Sequence, residues 1–147
     1  MQRLTLLTFC LLLAAGCLSA ADKSLMHCFF FTPEAGATDA QWQAFFKATD
    51  DLPGKIPGLT KVWYGKLARP MAVLSTSDSE ARKKLAAGEK DVTAPINRVV
   101  REWGVCMEMD GSDALKAYAG HPEHEKWVEV YSKVRQYGTT TVDIVGQ

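Results

Sequence analysis

The sequence has no surplus of charge: 17 basic residues balance 17 acidic ones, which leaves no field for nucleic-acid phosphates or an acidic membrane surface to grip. Histidine is scarce, three in 147 residues, and histidine and cysteine do not recur at zinc-binding spacing. A metal on His27 and His124 would lack a third, carboxylate-like ligand at a recognisable spacing, so neither a metal nor another cofactor is expected. No apolar run is long enough to cross a bilayer, since the candidate stretch, Leu4 to Ala15, is too short. There is no internal repeat, and the length suits one domain rather than two.

What is present begins with a targeting pattern over residues 1–21: Arg3, the Leu4 to Ala15 run, then small residues up to Ala21. Ser19-Ala20-Ala21 before Asp22 suits a secretory peptidase, whereas Leu13-Ala14-Ala15-Gly16-Cys17 resembles a lipobox that would put a lipid anchor on Cys17. Soluble export to the periplasm or beyond is the preferred reading, with a membrane-anchored lipoprotein as the alternative. Loss of this segment removes one base, Arg3, and no acid. Of the four cysteines it takes Cys10 and Cys17, leaving Cys28 and Cys106. Those two could pair in an oxidising compartment; their place inside apolar runs favours two buried free thiols.

Leu25 to Thr32, closed by Pro33, reads as a strand apolar on both faces: Leu25, Phe29 and Phe31 on one, Met26, Cys28 and Phe30 on the other. Such a strand must be covered twice. Thr38 and Gln41 have capping-box spacing before a helical stripe of Trp42, Phe45, Phe46 and Leu52, which Pro53-Gly54 ends. After the turn Lys55-Ile56-Pro57-Gly58, a second strand runs from Leu59 to Leu67. Residues 68–101 carry a weaker signal: Ser77 and Glu80 have capping spacing for a short helix between Ser77 and Lys90, and with almost no apolar face it is read as a solvated helix in preference to a mobile lid over the sheet edge. Trp103 to Asp110 makes a third strand, Ser112 caps a short helix through Tyr118, and a helix from Pro122 to about Tyr137 is stopped by Gly138. Thr139 to Val145 is a β-branched fourth strand.

This order is βαββαβ, the α+β class with a ferredoxin-like protomer: a four-stranded antiparallel sheet, first and third strands central, helices on one face. The other face would bare Met26, Cys28, Phe30, Trp63, Cys106, Val142 and Ile144, too much apolar surface for a soluble monomer, so a homodimer packed sheet to sheet is expected. His124 shares a helix face with Trp127 and Val128 in the first turn after Pro122, where burial and the helix dipole favour a neutral imidazole. His27 alternates with Phe29 and Phe31 and so faces the helices, where it can meet Tyr118 and His124. His121 reads as a cap for the helix start.

Leu25 to Phe31 with His27, Leu52 to Lys66 with Ile56-Pro57-Gly58 and Gly65, Ala114 to Tyr118, His121-Pro122-Glu123-His124 and a closing strand with Asp143 resemble the stress-responsive A/B barrel (Dabb) family. The resemblance spans residues 24–146, with 68–101 as an insertion. It implies a dimeric α+β barrel and a role in stress. A plant branch of that family consists of polyketide cyclases, and its pattern would make His124 a general base, Tyr118 its helper and His27 a histidine on the pocket wall, with Phe45 and Phe46 as apolar wall. Phe29 and Trp127 would complete that wall. Thr49, Asp50, Trp127 and Val128 depart from the cyclase pattern, the last two narrowing any cavity beside His124.

Two function classes follow. One is a non-catalytic homodimeric barrel that binds a small apolar molecule or acts through its own stability in a stress setting. The other is a cofactor-independent acid-base enzyme of cyclase or lyase type, with His124 as base, Tyr118 as oxyanion partner and His27 as orienter. A monooxygenase-like activity is a third reading, on fold analogy alone. A cavity of about 300 Å³ or more beside His124 separates a site from a filled core.

Overall fold

The computed structural model describes residues 23–147; the segment expected to be a targeting signal, with Cys10 and Cys17, lies outside the described residues. The strands are β1 (Leu25–Pro33), β2 (Leu59–Ser75), β3 (Asn97–Met109) and β4 (Arg135–Val145), and the helices α1 (Asp39–Asp50), α2 (Ser79–Ala86), α3 (Ser112–Ala119) and α4 (Pro122–Tyr131). A 3₁₀ turn, Leu52–Gly54, follows α1. All strand pairs are antiparallel in the order β2-β3-β1-β4, which puts β1 and β3 at the centre as the pattern required.

Alternation along β1 drives the packing. Leu25, Phe29 and Phe31 are buried under the helices, where Phe31 meets Phe45 and Tyr131 edge-on. Phe45, Leu52, Ile56, Val105, Met107 and Val134 complete a core closed to solvent. The capping box at the start of α1 is present: the Thr38 N–H donates to Gln41 Oε1 at 2.7 Å and the Gln41 N–H to Thr38 Oγ1 at 3.3 Å. Where α1 crosses α4, the Trp127 Nε1–H donates to Thr49 Oγ1 at 2.9 Å, and that hydroxyl donates to the Phe45 carbonyl at 2.7 Å. Thr49 thus satisfies a buried indole.

Several elements differ from the sequence reading. β2 continues to Ser75 and β3 starts at Asn97, so much of 68–101 is a long hairpin. Its register shifts between Lys66 and Met71, where Pro70, unable to donate to a ladder, is accommodated. α2 is the expected solvated helix, shorter than Ser77 to Lys90 and capped by Asp78 rather than Ser77. α3 starts at Ser112 itself, with Gly111 in the cap position and no side-chain cap. α4 ends at Tyr131, not Tyr137, because Val134 turns into the core and Arg135 already pairs with Pro33. Gly138 therefore bends β4, at φ 88°, and stops no helix.

The cysteines also differ from the preferred reading: Cys28 and Cys106 form a disulfide. They are direct partners in the β1–β3 register with Cα atoms 4.1 Å apart, a juxtaposition that strand pairing creates. The bond sits on the face away from the helices, in a row with Trp63 on β2 and Val142 on β4. On that face Trp63 is 42% exposed, Val142 43% and Ile144 57%. Because the bond closes a separation of 78 residues, changing both cysteines to alanine is expected to lower the unfolding free energy by about 4 kcal/mol. Urea denaturation measures this, and an unchanged midpoint would show that the bond does not constrain the unfolded chain.

Candidate functional site

Four polar side chains line up at the β1–β4 side of the helical layer. β1 projects His27 toward α3, and β4 places Asp143 directly opposite it in register. The His27 Nδ1–H donates to Asp143 Oδ1 at 2.6 Å, so the carboxylate fixes the imidazole's tautomer and angle. The His27 ring centroid lies 5.8 Å from Tyr118, and Tyr118 lies 4.1 Å from His124. The three residues picked out by sequence do come together. Asp143 completes them; its signal was its place in the closing strand, but its partner depended on register.

His124 occupies the first turn of α4, entered through Pro122, with His121 accepting the Glu123 N–H on its own Nδ1 at 3.2 Å, the capping role expected of it. His124 Nδ1 faces the Ala119 carbonyl at 3.3 Å. A carbonyl only accepts, so Nδ1 carries the proton and Nε2 keeps its lone pair. Burial holds the His124 pKa below the ordinary histidine value, the nearby His27 adds to this, and the Ala119 carbonyl and Glu125 oppose it. Tyr118, 3% exposed, is pushed well above the ordinary tyrosine range by burial and stays a neutral phenol. The set offers a neutral base, a phenolic donor and a carboxylate-held imidazole, which is the equipment for proton abstraction beside a carbonyl.

Aromatic rings crowd the inner side of the cluster, while His27 and His124 themselves are half-buried. Trp127 stacks on His124 at 6.0 Å and on Tyr131 at 4.7 Å, and meets Phe29 edge-on at 5.6 Å. Phe29, Phe45 and Trp127, expected as ligand wall, are core packing with exposures of 5%, 0% and 3%. Among the described residues no group of three or more histidine, cysteine or acidic side chains is arranged to hold a metal ion.

The open volume lies elsewhere. A cleft of about 560 Å³ runs between α1 and the β2–β3 bulge, walled by Trp42, Phe46, Leu67, Pro70 and Trp103. Phe46 is thus the one expected wall residue that lines a cavity. Trp42 and Trp103 stack at 4.5 Å, and Phe46 lies nearly parallel to Tyr64 at 5.3 Å. Glu34, Asp39 and Glu102 stand at the cleft with Lys66. Sequence reasoning missed it because it depends on the β2 register shift. A second, shallower hollow of about 250 Å³ lies on the bare sheet face, between Phe30, Trp63, Leu67 and Gly104.

This architecture is a ferredoxin-like α+β fold, and solved structures share it. A dimeric ferredoxin-like protein of unknown function from Thermobifida fusca is similar with a TM-score of 0.54 and 18% identity, over 84% of this chain and 92% of that one. A Dabb family protein from Mesorhizobium loti gives 0.54 and 15%, over 86% and 99%. The hydroxynitrile lyase from Passiflora edulis gives 0.57 and 7%, over 85% and 94%. No protein-family model matches the sequence, and no curated protein matches it significantly.

The His124 environment makes a pH prediction. Its ring C–H resonances should titrate with a midpoint below 6.5. Because the folded pKa is the lower one, the unfolded chain takes up the proton first, and stability is lost as pH falls from about 6.5 toward the folded midpoint. His124→Gln should flatten that stretch of the stability profile; a wild-type midpoint above 6.5 would contradict the assignment.

Proposed function

We propose that this protein is an exported homodimer of the stress-responsive A/B barrel kind that holds a small, mainly apolar molecule without turning it over. The observation that carries this reading is the 560 Å³ cleft, within the size range of small-molecule sites and walled by stacked aromatic rings, whereas Trp127 and Tyr118 crowd the imidazoles. The three carboxylates against one lysine at the cleft favour neutral or cationic ligands over anionic ones. Export is supported by the Cys28–Cys106 bond, which is the thiol chemistry of an oxidising compartment, and by the apolar start of the chain. A homodimer is supported by the bare apolar row around Trp63 and Val142.

Two measurements test this. Sedimentation should give a dimer at micromolar concentration that Trp63→Lys with Val142→Lys converts to a folded monomer; a wild-type monomer would remove the barrel. Titration with 1-methylnaphthalene, followed by tryptophan fluorescence, should show saturable binding that Phe46→Ala weakens roughly tenfold and that 1-naphthoate does not match. Absence of saturable binding by any neutral or cationic aromatic would overturn the binder reading.

The second reading is the cofactor-independent cyclase- or lyase-type enzyme, and the observation favouring it is a neutral His124 lying 4.1 Å from a neutral Tyr118. On that reading Nε2 takes a proton next to a carbonyl and the phenol hydrogen-bonds the oxygen that gains charge. His124→Ala should then abolish turnover of a small carbonyl substrate while the dimer persists. An oxygenase activity has only the fold behind it.

A further inference from the structure

The end of β1 gathers two guanidiniums that make no ion pair among the described residues. Arg101, 8% exposed, donates from Nη1 to Thr32 Oγ1 at 3.2 Å and from Nε to Thr140 Oγ1 at 3.3 Å, and both acceptors are neutral hydroxyls. Thr32 spends its own proton on the Val100 carbonyl at 2.6 Å, so its oxygen faces Arg101 as acceptor only. Arg135, opposite Pro33 in the β1–β4 register, lies over the Tyr131 ring at 4.7 Å and reaches the Gln136 carbonyl from Nη1 at 3.2 Å. Among the described residues neither guanidinium has an ion-pair partner, since the recorded pairs all involve lysines or His27. Two further donors are sealed from solvent with no acceptor among the described residues: the Tyr131 hydroxyl, on a residue 4% exposed, and Arg135 Nε.

Each of these groups is a donor or carries positive charge, and leaving them unanswered in the interior is costly. Native folds seldom tolerate several such groups together. Gly138, at φ 88°, keeps the backbone close here: a Cβ on it would lie 3.6 Å from Arg101 Nη2. The β1–β4 register shift between Phe31 and Pro33 opens the ladder at this point.

We propose that the end of β1 is a binding site for a small anion, of chloride or carboxylate size, held by Arg101, Arg135 and the Tyr131 hydroxyl. The anion supplies the acceptor that the phenol and the Arg135 Nε–H lack and sets one negative charge against the two guanidiniums. It borders the aromatic cleft, which Pro33, Glu34 and Glu102 line, but uses none of the cleft's aromatic walls and none of the His124 cluster, so it does not rest on the function proposed above.

The test is thermal unfolding of the purified protein at constant ionic strength, replacing gluconate, too bulky for the site, by chloride, formate or phosphate. A ligand that binds only the folded state raises Tm saturably. Chloride or formate should do so, and the order among the three anions reports which of them fits. Arg135→Gln and Tyr131→Phe should each move half-saturation roughly tenfold or more to higher concentration. A crystal grown in bromide should show an anomalous peak within hydrogen-bond distance of these side chains, a readout that does not depend on any variant folding. A Tm that follows ionic strength alone, together with no bromide peak, would overturn the proposal.

Discussion

The two-residue period of β1 is the constraint on which everything else rests. Because successive side chains of a strand leave on opposite faces, the run from Leu25 to Phe31 cannot put its aromatic rings under the helices without sending Met26, Cys28 and Phe30 to the other side. The central strand therefore builds the core and the bare face together. It also carries His27 into the helical layer and Cys28 into the disulfide. A slip of one residue would exchange the two faces, place the cysteine among the helices and the imidazole outside, and abolish both arrangements at once.

How the helical layer is held explains why aromatic rings crowd the inner side of the imidazole cluster. Trp127 is fixed on three sides, by Thr49 through its indole nitrogen, by Tyr131 through stacking and by Phe29 edge-on. An aromatic side chain so constrained cannot rotate away cheaply in a close-packed interior. α4 and α1 are drawn together at that point, while at the other end of α1 the β2 register shift leaves the space that Trp42 and Trp103 line. Filled and open regions of the same helix–sheet layer thus have local causes, a tight clamp at one end and an irregular strand at the other.

Much of this was legible before any coordinates. The order of elements, the centrality of β1 and β3, the capping box at Thr38, the His121 cap and the meeting of His27, Tyr118 and His124 follow from periodicity, turn residues and facing, all local properties of a chain. What was not legible depends on which residue lies opposite which. Cys28 meets Cys106, His27 meets Asp143 and Arg135 meets Pro33 only because of pairings between strands far apart in sequence. The extra length of β2 was hidden for a related reason: Pro70 reads as a breaker, and only an irregularity in β2 itself, residues 67–70 against the single Glu102 of β3, lets the ladder resume at Met71.

The same distinction bears on function. The features that fold and sequence pattern suggest, the His124 imidazole after Pro122 together with the Tyr118 phenol and His27, are those a ferredoxin-like scaffold can retain for packing as well as for chemistry. Tyr118 and Trp127 serve the core whatever else they do, since each is 3% exposed and in aromatic contact. The cleft under α1 differs in that its rings are half-exposed and stacked against one another without closing the volume they border. Burial would have rewarded collapse of that volume at about 25 cal/mol per Å² of apolar surface. A wall of indoles that stays open against this tendency, braced by a bulged strand, is the feature on which the proposed binding role rests.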